Sequence, residues 1–599
     1  MRVADYIAGR LKDLGVRTVF LVSGGGMMHL IDAIPRAGLR YVCNHHEQAS
    51  AMAAEGYARE SGGLGVCYAT SGPGATNVLT GLVGAWQDSS PVLFLTGQSN
   101  VHQSIRGTGM QGLRQFGTFE VDIVPIVQSV TKYAAFLADP AMVRFHLEKA
   151  LWLAQNGRPG PVLLDIPLNV QGAPIEPDAL TGFPEPQEAA ADCSQGIAQM
   201  MEKLATASRP LLLIGNGVRG AGEEAVQMLR ELVSRLGIPV VTTQLGKDVL
   251  PYDYPLFTGH PGVKGDRAGN FAVQDCDVLL TLGTSLHAQT TGYDQKQFAT
   301  KAFKIEVDTD EAILHRQRGF VDLQIHSDVR SFLRQLSAAS AAWDSAPFAS
   351  WRDTCAGWKK DFAVMKEPHI IEDAGPVNLY DVADTLSDVL TGEETVITDA
   401  GCSFYVMGQA FRLKGSERYI VSGAMGAMGY AVPAGIGVCA ASPKKTAVCV
   451  TGDGALQVNM QELQTLKHEN ANLKIFIINN DGYASIRSTQ RSFFAGAYVG
   501  SDRGSGLTMP SLEKIADAYG LTYVSCPDRK HLRAAMEKAL STDGPVLCDI
   551  ICQTDQQIIP AVSSVRLPDG RMQSKGLEEM FPFLEQKQVA TAETQKMDG

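Results

Sequence analysis

Along the first 175 residues, short apolar runs alternate with longer stretches whose apolar positions recur at helical spacing. VRTVFLVSG (16–24), LGVCYATSGPG (64–74) and PVLFLTGQ (91–98) each close on a Gly- or Ser-rich turn, and PVLLDIPLNVQ (161–171) is the last run of the block. Strand–helix alternation of this kind predicts parallel βαβ units. A Pro- and Glu-rich stretch from about 173 to 192 reads as an exposed linker. A second block carries strands at 209–217, 238–243, 277–283 and 304–310, and loosens near 340 at SAASAAWDSAP. A third carries strands at 394–401, 445–454, 473–482 and 545–552. The expected fold class is α/β, with three doubly wound parallel-sheet domains at 1–175, 190–340 and 375–555. A C-terminal tail at 556–599 is expected to pack on the body through LEEMFPFL (577–584).

Composition narrows the picture in three ways. A chain of 599 residues, 45% hydrophobic, is too long for one core and suits several domains. A net charge of −12 argues against nucleic acid as a partner. The eleven cysteines are dispersed, without a CxxC pair or a Cys/His cluster at zinc spacing, which fits free thiols in a reducing compartment. The N-terminal stretch carries Asp5, Lys12 and Asp13 and does not read as a signal peptide, and no apolar stretch is long enough to span a bilayer. The expected location is cytoplasmic, with no membrane partner.

The sharpest chemical signal lies in the third block. Gly452-Asp453-Gly454 ends one apolar strand and Asn479-Asn480 ends the next, with 24 residues between. Met460, Leu463 and Leu466 recur at helical spacing between them, so the segment reads as β-α-β. Parallel neighbours place both strand ends on one sheet edge, where open α/β sheets bind ligands. There the Asp453 and Asn480 side-chain oxygens can meet as two hard ligands, with a backbone carbonyl, and leave positions for phosphate oxygens on Mg²⁺. Gly452 and Gly454 allow close approach of backbone to phosphate, and Ala455 is counted with them. GDG alone reads as a turn and Asn-Asn alone as a strand cap; the strand contexts and the spacing together favour a cofactor site.

With these motifs the chain resembles the thiamine diphosphate enzymes along nearly its whole length. The resemblance implies Mg²⁺ on Asp453, on Asn480 and on the Gly482 carbonyl. It also implies a role for Asn44-His45-His46-Glu47-Gln48: Glu47 would hydrogen-bond the aminopyrimidine ring and favour its imino tautomer, as a buried carboxylate of raised pKa. Taken alone, Glu47 is a first-turn acid favoured by the helix dipole. His46 is either a wall of the site or a structural histidine. Ala400, Gly401, Cys402 and Ser403 would receive the diphosphate. In the run 423–430, the Gly426 carbonyl would receive the amino group and Met428 would wedge between the rings, unless Met428 is plain core packing. Because relatives build the site from two subunits, a homodimer or homotetramer is implied.

Within that family the layout is most similar to the acetolactate synthase group, on SGPGATN (71–77), GAWQDSSPVLFLTGQ (84–98) and EVDIVPIVQSVTKYA (120–134). The resemblance implies decarboxylation of pyruvate and transfer of a two-carbon unit to a carbonyl acceptor. Three positions depart from the synthases: Thr118-Phe119 stands where they have Phe-Gln, Gln289 where they have an acceptor-gripping Arg, and Thr489 where they have Trp. Phe119, Gln289 and Thr489 are therefore the expected acceptor pocket. A neutral amide cannot form a bidentate charge-assisted pair with a carboxylate. The acceptor expected from these changes, and from the tail, is a keto-sugar nucleotide, with Arg487, Arg491 and Lys575 as candidate diphosphate contacts against the alternative of solvated surface. Alternatives are acetolactate synthase proper, a 2-keto acid decarboxylase, a C–C lyase or hydrolase of a diketone, and a catalytically dead homologue. Gly turns at 215–217, 259–262 and 283–285 leave FAD open in the central domain, against ADP or no nucleotide.

Overall fold

The computed structural model describes residues 1–186, 191–566, 569 and 572–585. Eighteen of its strands form three parallel six-stranded sheets. The first holds β1 (Thr18–Leu21), β2 (Arg40–Cys43), β3 (Gly65–Ala69), β4 (Val92–Gln98), β5 (Tyr133–Phe136) and β6 (Val162–Pro167), in the order β2-β1-β3-β4-β6-β5. The second holds β7 (Pro210–Ile214), β8 (Val240–Thr242), β9 (Phe257–Gly259), β10 (Val278–Leu282), β11 (Phe303–Asp308) and β12 (Leu323–His326), in the order β12-β11-β10-β7-β8-β9. The third holds β13 (Thr395–Thr398), β14 (Arg418–Val421), β15 (Ala447–Gly452), β16 (Leu473–Asn479), β17 (Thr522–Cys526) and β18 (Val546–Ile551), in the order β14-β13-β15-β16-β18-β17. Doubly wound α/β architecture is thus the fold, as the alternating pattern predicts.

The first and third sheets share one strand order, and the middle sheet has another, that of a dinucleotide fold. In each, strand order reverses beside the sheet's first strand in the chain, and turns after the flanking strands open a crevice there. In the third sheet the reversal falls between β13 and β15, so the turns at 399–403 and 452–455 share one crevice.

The first and third domains are joined by a crossing of small residues. Helix Glu47–Ser61 lies along helix Ala431–Ala441, and Gly56 faces the backbone of Ala434 while Gly437 faces that of Ala53. A Cβ at either glycine would overlap a carbonyl oxygen across the contact. Gly437→Val is therefore expected to cost ~1–3 kcal/mol by overpacking, read as a lower unfolding midpoint in denaturant. An unchanged midpoint would mean that the two helices can separate at no cost. Arg59 adds a polar link, donating to the Val421 carbonyl at 2.7 Å.

The tail packs on the central domain. Val562 donates to the Val263 carbonyl at 2.8 Å, Asn270 donates to the Leu577 carbonyl at 2.9 Å, and Leu577 and Met580 are buried. The segment 577–584 therefore docks as its apolar pattern predicts; residues 586–599 lie outside the described residues. Among the described residues no helix is long and apolar enough to cross a membrane. All eleven cysteines are free, and all but Cys43 are buried.

Candidate active site

β15 and β16 pair in parallel with Gly452 opposite Ile478, so Asp453 and Asn480 leave the sheet at neighbouring strand ends. Asp453 is buried at the start of a short helix. Its Oδ1 accepts from Gly454 N at 2.8 Å and its Oδ2 from Gly482 N at 3.1 Å, which ties the turn after β16 to the turn after β15. Burial pushes the Asp453 carboxyl up to about 6. The Asn480 Oδ1 is buried and has no hydrogen-bond partner among the described residues. A buried acceptor left unsatisfied in native packing calls for a partner from outside the chain, and a cation is one. A buried carboxylate, a bare amide oxygen and a turn carbonyl are hard oxygen donors of the kind Mg²⁺ takes. The residues present fit the ion.

Glycine is required here by close approach. A Cβ on Gly454 would strike the Tyr483 ring, and one on Gly482, at φ +124, would lie 2.7 Å from the Ser501 carbonyl oxygen. A Cβ on Gly452 would meet nothing within 4 Å, so its open side is available to a ligand.

Asp399, which belongs to no sequence motif named above, organises the rest of the crevice. Its Oδ1 accepts from Ala400 N at 2.9 Å and Gly429 N at 3.0 Å. Its Oδ2 accepts from Ala431 N at 3.3 Å and Thr451 Oγ1 at 3.0 Å. One buried carboxylate thus gathers the turn 400–403, the loop 423–430 and the end of β15. Desolvation pushes its carboxyl up, and these four donors oppose that. The signal available in the sequence was an acid at the end of an apolar strand, directly before Ala400. The turn itself leads into helix Cys402–Ala410, with Gly401 at φ +81 and Ser403 Oγ donating back to the Asp399 and Ala400 carbonyls. Free N–H groups at such a helix start suit an anion. In the 423–430 loop, Gly426, at φ +62, is exposed and Met428 is partly buried. Asp88 of the first domain holds the start of this loop through Gly423 N and Ala424 N, each at 2.9 Å.

Glu47 opens helix Glu47–Ser61, and its Oε2 accepts from Asn77 Nδ2 at 3.0 Å. Within its own chain it is half-buried. His46 caps this helix, its Nδ1 accepting from Gln48 N at 3.0 Å. The turn before Glu47 is anchored on the third domain, where buried Glu462 accepts from Asn44 Nδ2 at 2.8 Å and His45 N at 2.9 Å. Among the described residues no hydrogen bond joins Glu47 to Asp453, Asn480 or Gly482.

Family models agree with this division of labour. Residues 1–118 match the N-terminal TPP-binding domain of the thiamine pyrophosphate enzymes, 197–336 their central domain and 399–550 their C-terminal TPP-binding domain. The chain is 33% identical over 580 residues to acetolactate synthase 1, chloroplastic, of Zea mays, covering 94% of this chain and 87% of that one. It is 32% identical over 585 residues to the acetolactate synthase isozyme 2 large subunit of Escherichia coli K12, covering 97% and 100%. It is 33% identical over 570 residues to the acetolactate synthase of Arthrospira platensis, covering 92% and 94%. The chain belongs to the acetolactate synthase family of thiamine diphosphate-dependent enzymes.

In this acetolactate synthase family member the three positions expected to shape the acceptor pocket stand on three domains, and among the described residues no hydrogen bond joins them. Phe119 is 71% exposed, at φ +55, with its carbonyl against Gly72. Thr489 is exposed on helix Ala484–Phe494 and donates to the Ser485 carbonyl at 3.2 Å. Gln289 lines a cleft of about 990 Å³ to which all three domains contribute. The cationic side chains expected to meet a nucleotide diphosphate are otherwise engaged. Arg487 is buried and donates to the carbonyls of Asn480 (2.8 Å), Asp481 (3.1 Å), Ser501 (3.0 Å) and Thr554 (2.7 Å). It clamps the turn that carries Asn480, including Asp481 in a left-handed conformation at φ +55. Arg491 pairs with Asp555, and Lys575 with Glu579 at 3.0 Å.

Proposed function

We propose that the enzyme decarboxylates pyruvate and joins the two-carbon unit to a carbonyl acceptor. The bare, buried Asn480 Oδ1 beside the Asp453 carboxylate carries this reading, because it leaves an oxygen site for the metal that holds a diphosphate. Asp453, Asn480 and the Gly482 carbonyl would hold Mg²⁺, and the 400–403 turn with Gly452, Gly454 and Ala455 would meet the diphosphate. Bound thiamine diphosphate supplies an acidic thiazolium carbon and an electron sink for the charge left by loss of CO₂. Glu47 holds a proton at the aminopyrimidine nitrogen, and Asn77 fixes that carboxylate's direction. Met428, partly buried in its loop, would set the bend between the rings. The open side of Glu47 supports a site completed by a second copy, in a homodimer or homotetramer.

The central domain supports a dinucleotide such as FAD. Its strand order reverses between β7 and β10, and Asn216, Gly217, Thr284 and Ser285 after those strands line the 990 Å³ cleft. These residues would hold the ligand's phosphates and ribose.

Two acceptors are set against each other. A keto-sugar nucleotide is favoured by the uncharged Gln289, whereas a second 2-keto acid is favoured by the relatives' printed name, acetolactate synthase. Carbon-labelled pyruvate with a panel of 2-keto acids, aldehydes and keto-sugar nucleotides, read by mass spectrometry, decides. Label in a branched sugar supports the first, and label in acetolactate the second. Rapid acetaldehyde release with no label in any acceptor product would sink ligation altogether.

A further inference from the structure

The cleft where the three domains meet is lined by three lysine or arginine side chains, and two of them stand within ion-pair distance of a carboxylate. Arg158 donates to Asp310 at 3.0 Å, and Arg330 lies 3.8 Å from Glu224. Lys264 has no carboxylate partner and no side-chain hydrogen bond among the described residues. Its Nζ rests 4.6 Å above the centre of the Tyr405 ring, a contact that leaves its N–H donors free. Burial lowers its affinity for its own proton, and an anion beside it would restore that affinity.

The position is built. Val263 donates to the Gln289 carbonyl at 2.9 Å and accepts from Val562 of the tail at 2.8 Å. On the other side of Lys264, the Gly265 carbonyl accepts from Gln409 of the third domain at 2.9 Å. Three separate parts of the chain thus fix the backbone on which this one amine is carried. The same cleft is lined by Gln289 and by Gly423 and Ala424, which begin the loop that carries Gly426 and Met428. The amine also lies close enough to Cys402 of the 400–403 turn for their charges to act on each other, so it stands between that turn and the Gln289 side of the cleft.

We propose that Lys264 is the binding group for an anionic substituent, a carboxylate or a phosphate, on the carbonyl acceptor. This inference rests on the carboligase reading above. The neutral Gln289 side chain beside it orients the ligand by hydrogen bonds, and the charge comes from Lys264. A free amine serves as a point charge for either anion and imposes no planar fork, which suits acceptors of more than one shape.

The test uses the holoenzyme with pyruvate as donor and 2-ketobutyrate, a phosphorylated keto-sugar and neutral benzaldehyde as acceptors. Lys264→Met is expected to raise KM for whichever anionic acceptor the wild type uses by about tenfold to a hundredfold, the range for a lost charge-assisted hydrogen bond. Ligation to benzaldehyde, CO₂ release without acceptor, thiamine diphosphate affinity and flavin content should stay unchanged, and Lys264→Arg should recover most of the KM. The two anionic arms separate carboxylate from phosphate as the group held. An unchanged anionic KM in Lys264→Met overturns the proposal. So does a fall in cofactor affinity or flavin content with no selective acceptor effect. Failure of the parent reading is distinguishable, because the wild type would then ligate no acceptor at all.

Discussion

Asp453→Ala is expected to leave an enzyme that no longer retains thiamine diphosphate at micromolar Mg²⁺ and shows no measurable carboligation. The substitution removes the one anionic ligand of the candidate metal set. It also removes the acceptor that ties Gly482 N to the β15 turn. Loss of partners that merely orient metal ligands costs about 10–100-fold in metal affinity, so loss of the charged ligand itself should cost more than about 100-fold. Calorimetric titration of Mg²⁺ in the presence of saturating cofactor measures this directly. Wild-type metal affinity in Asp453→Ala would move the metal site elsewhere. Asp453→Asn keeps the shape and the hydrogen-bond acceptor, and should fall between the two.

Glu47→Gln is expected to do the opposite: cofactor bound, turnover lost. Its neighbours are a cap histidine, Asn77 and a half-open surface, none of which touches the metal turn. Removing a positioned proton partner typically costs about 10²–10⁴ in rate, so CO₂ release from pyruvate should fall within that range. Thiamine diphosphate affinity should change little. Hydrogen–deuterium exchange at the thiazolium carbon, followed by NMR after acid quench, isolates the step from acceptor chemistry. An undiminished exchange rate would remove Glu47 from the mechanism.

The interior of each sheet was legible in the sequence, and the rims largely were not. β3, β4, β7, β10, β15 and β16 are continuous apolar runs because both faces are covered. The strands that the pattern missed, β5, β9, β12, β14 and β17, all stand at sheet ends. YAAF is only partly buried along its length, and TYVSC alternates exposed with buried positions, so neither run stands out from a loop. FTG is too short to read.

The candidate site divides in the same way. Asp453 and Asn480 are visible because their spacing spans a single βαβ unit, so sequence distance maps onto spatial distance. Asp399, Asp88 and Lys264 meet Gly429, Gly423 and the Tyr405 ring, 30 to several hundred positions away, and a spacing rule has no purchase there. Arg487 reads as one more cation on a polar helix, ASIRSTQRSFF; only the fold reveals four carbonyls converging on it. Phe119, Gln289 and Thr489 were picked out by difference from relatives, and a single chain holds them apart.

The glycine crossing between helices Glu47–Ser61 and Ala431–Ala441 has a kinetic consequence. Backbones that meet with no side chain between them have no slack to slide or hinge, because close-packed contacts are stiff. The two domains of one chain that carry Glu47 and Asp453 must therefore move as a single block. The exposed backbone near the candidate site lies instead on residues 424–426 and around Phe119. For the proposed site, the thermal sensitivity of kcat is expected to follow loop motion, not domain separation.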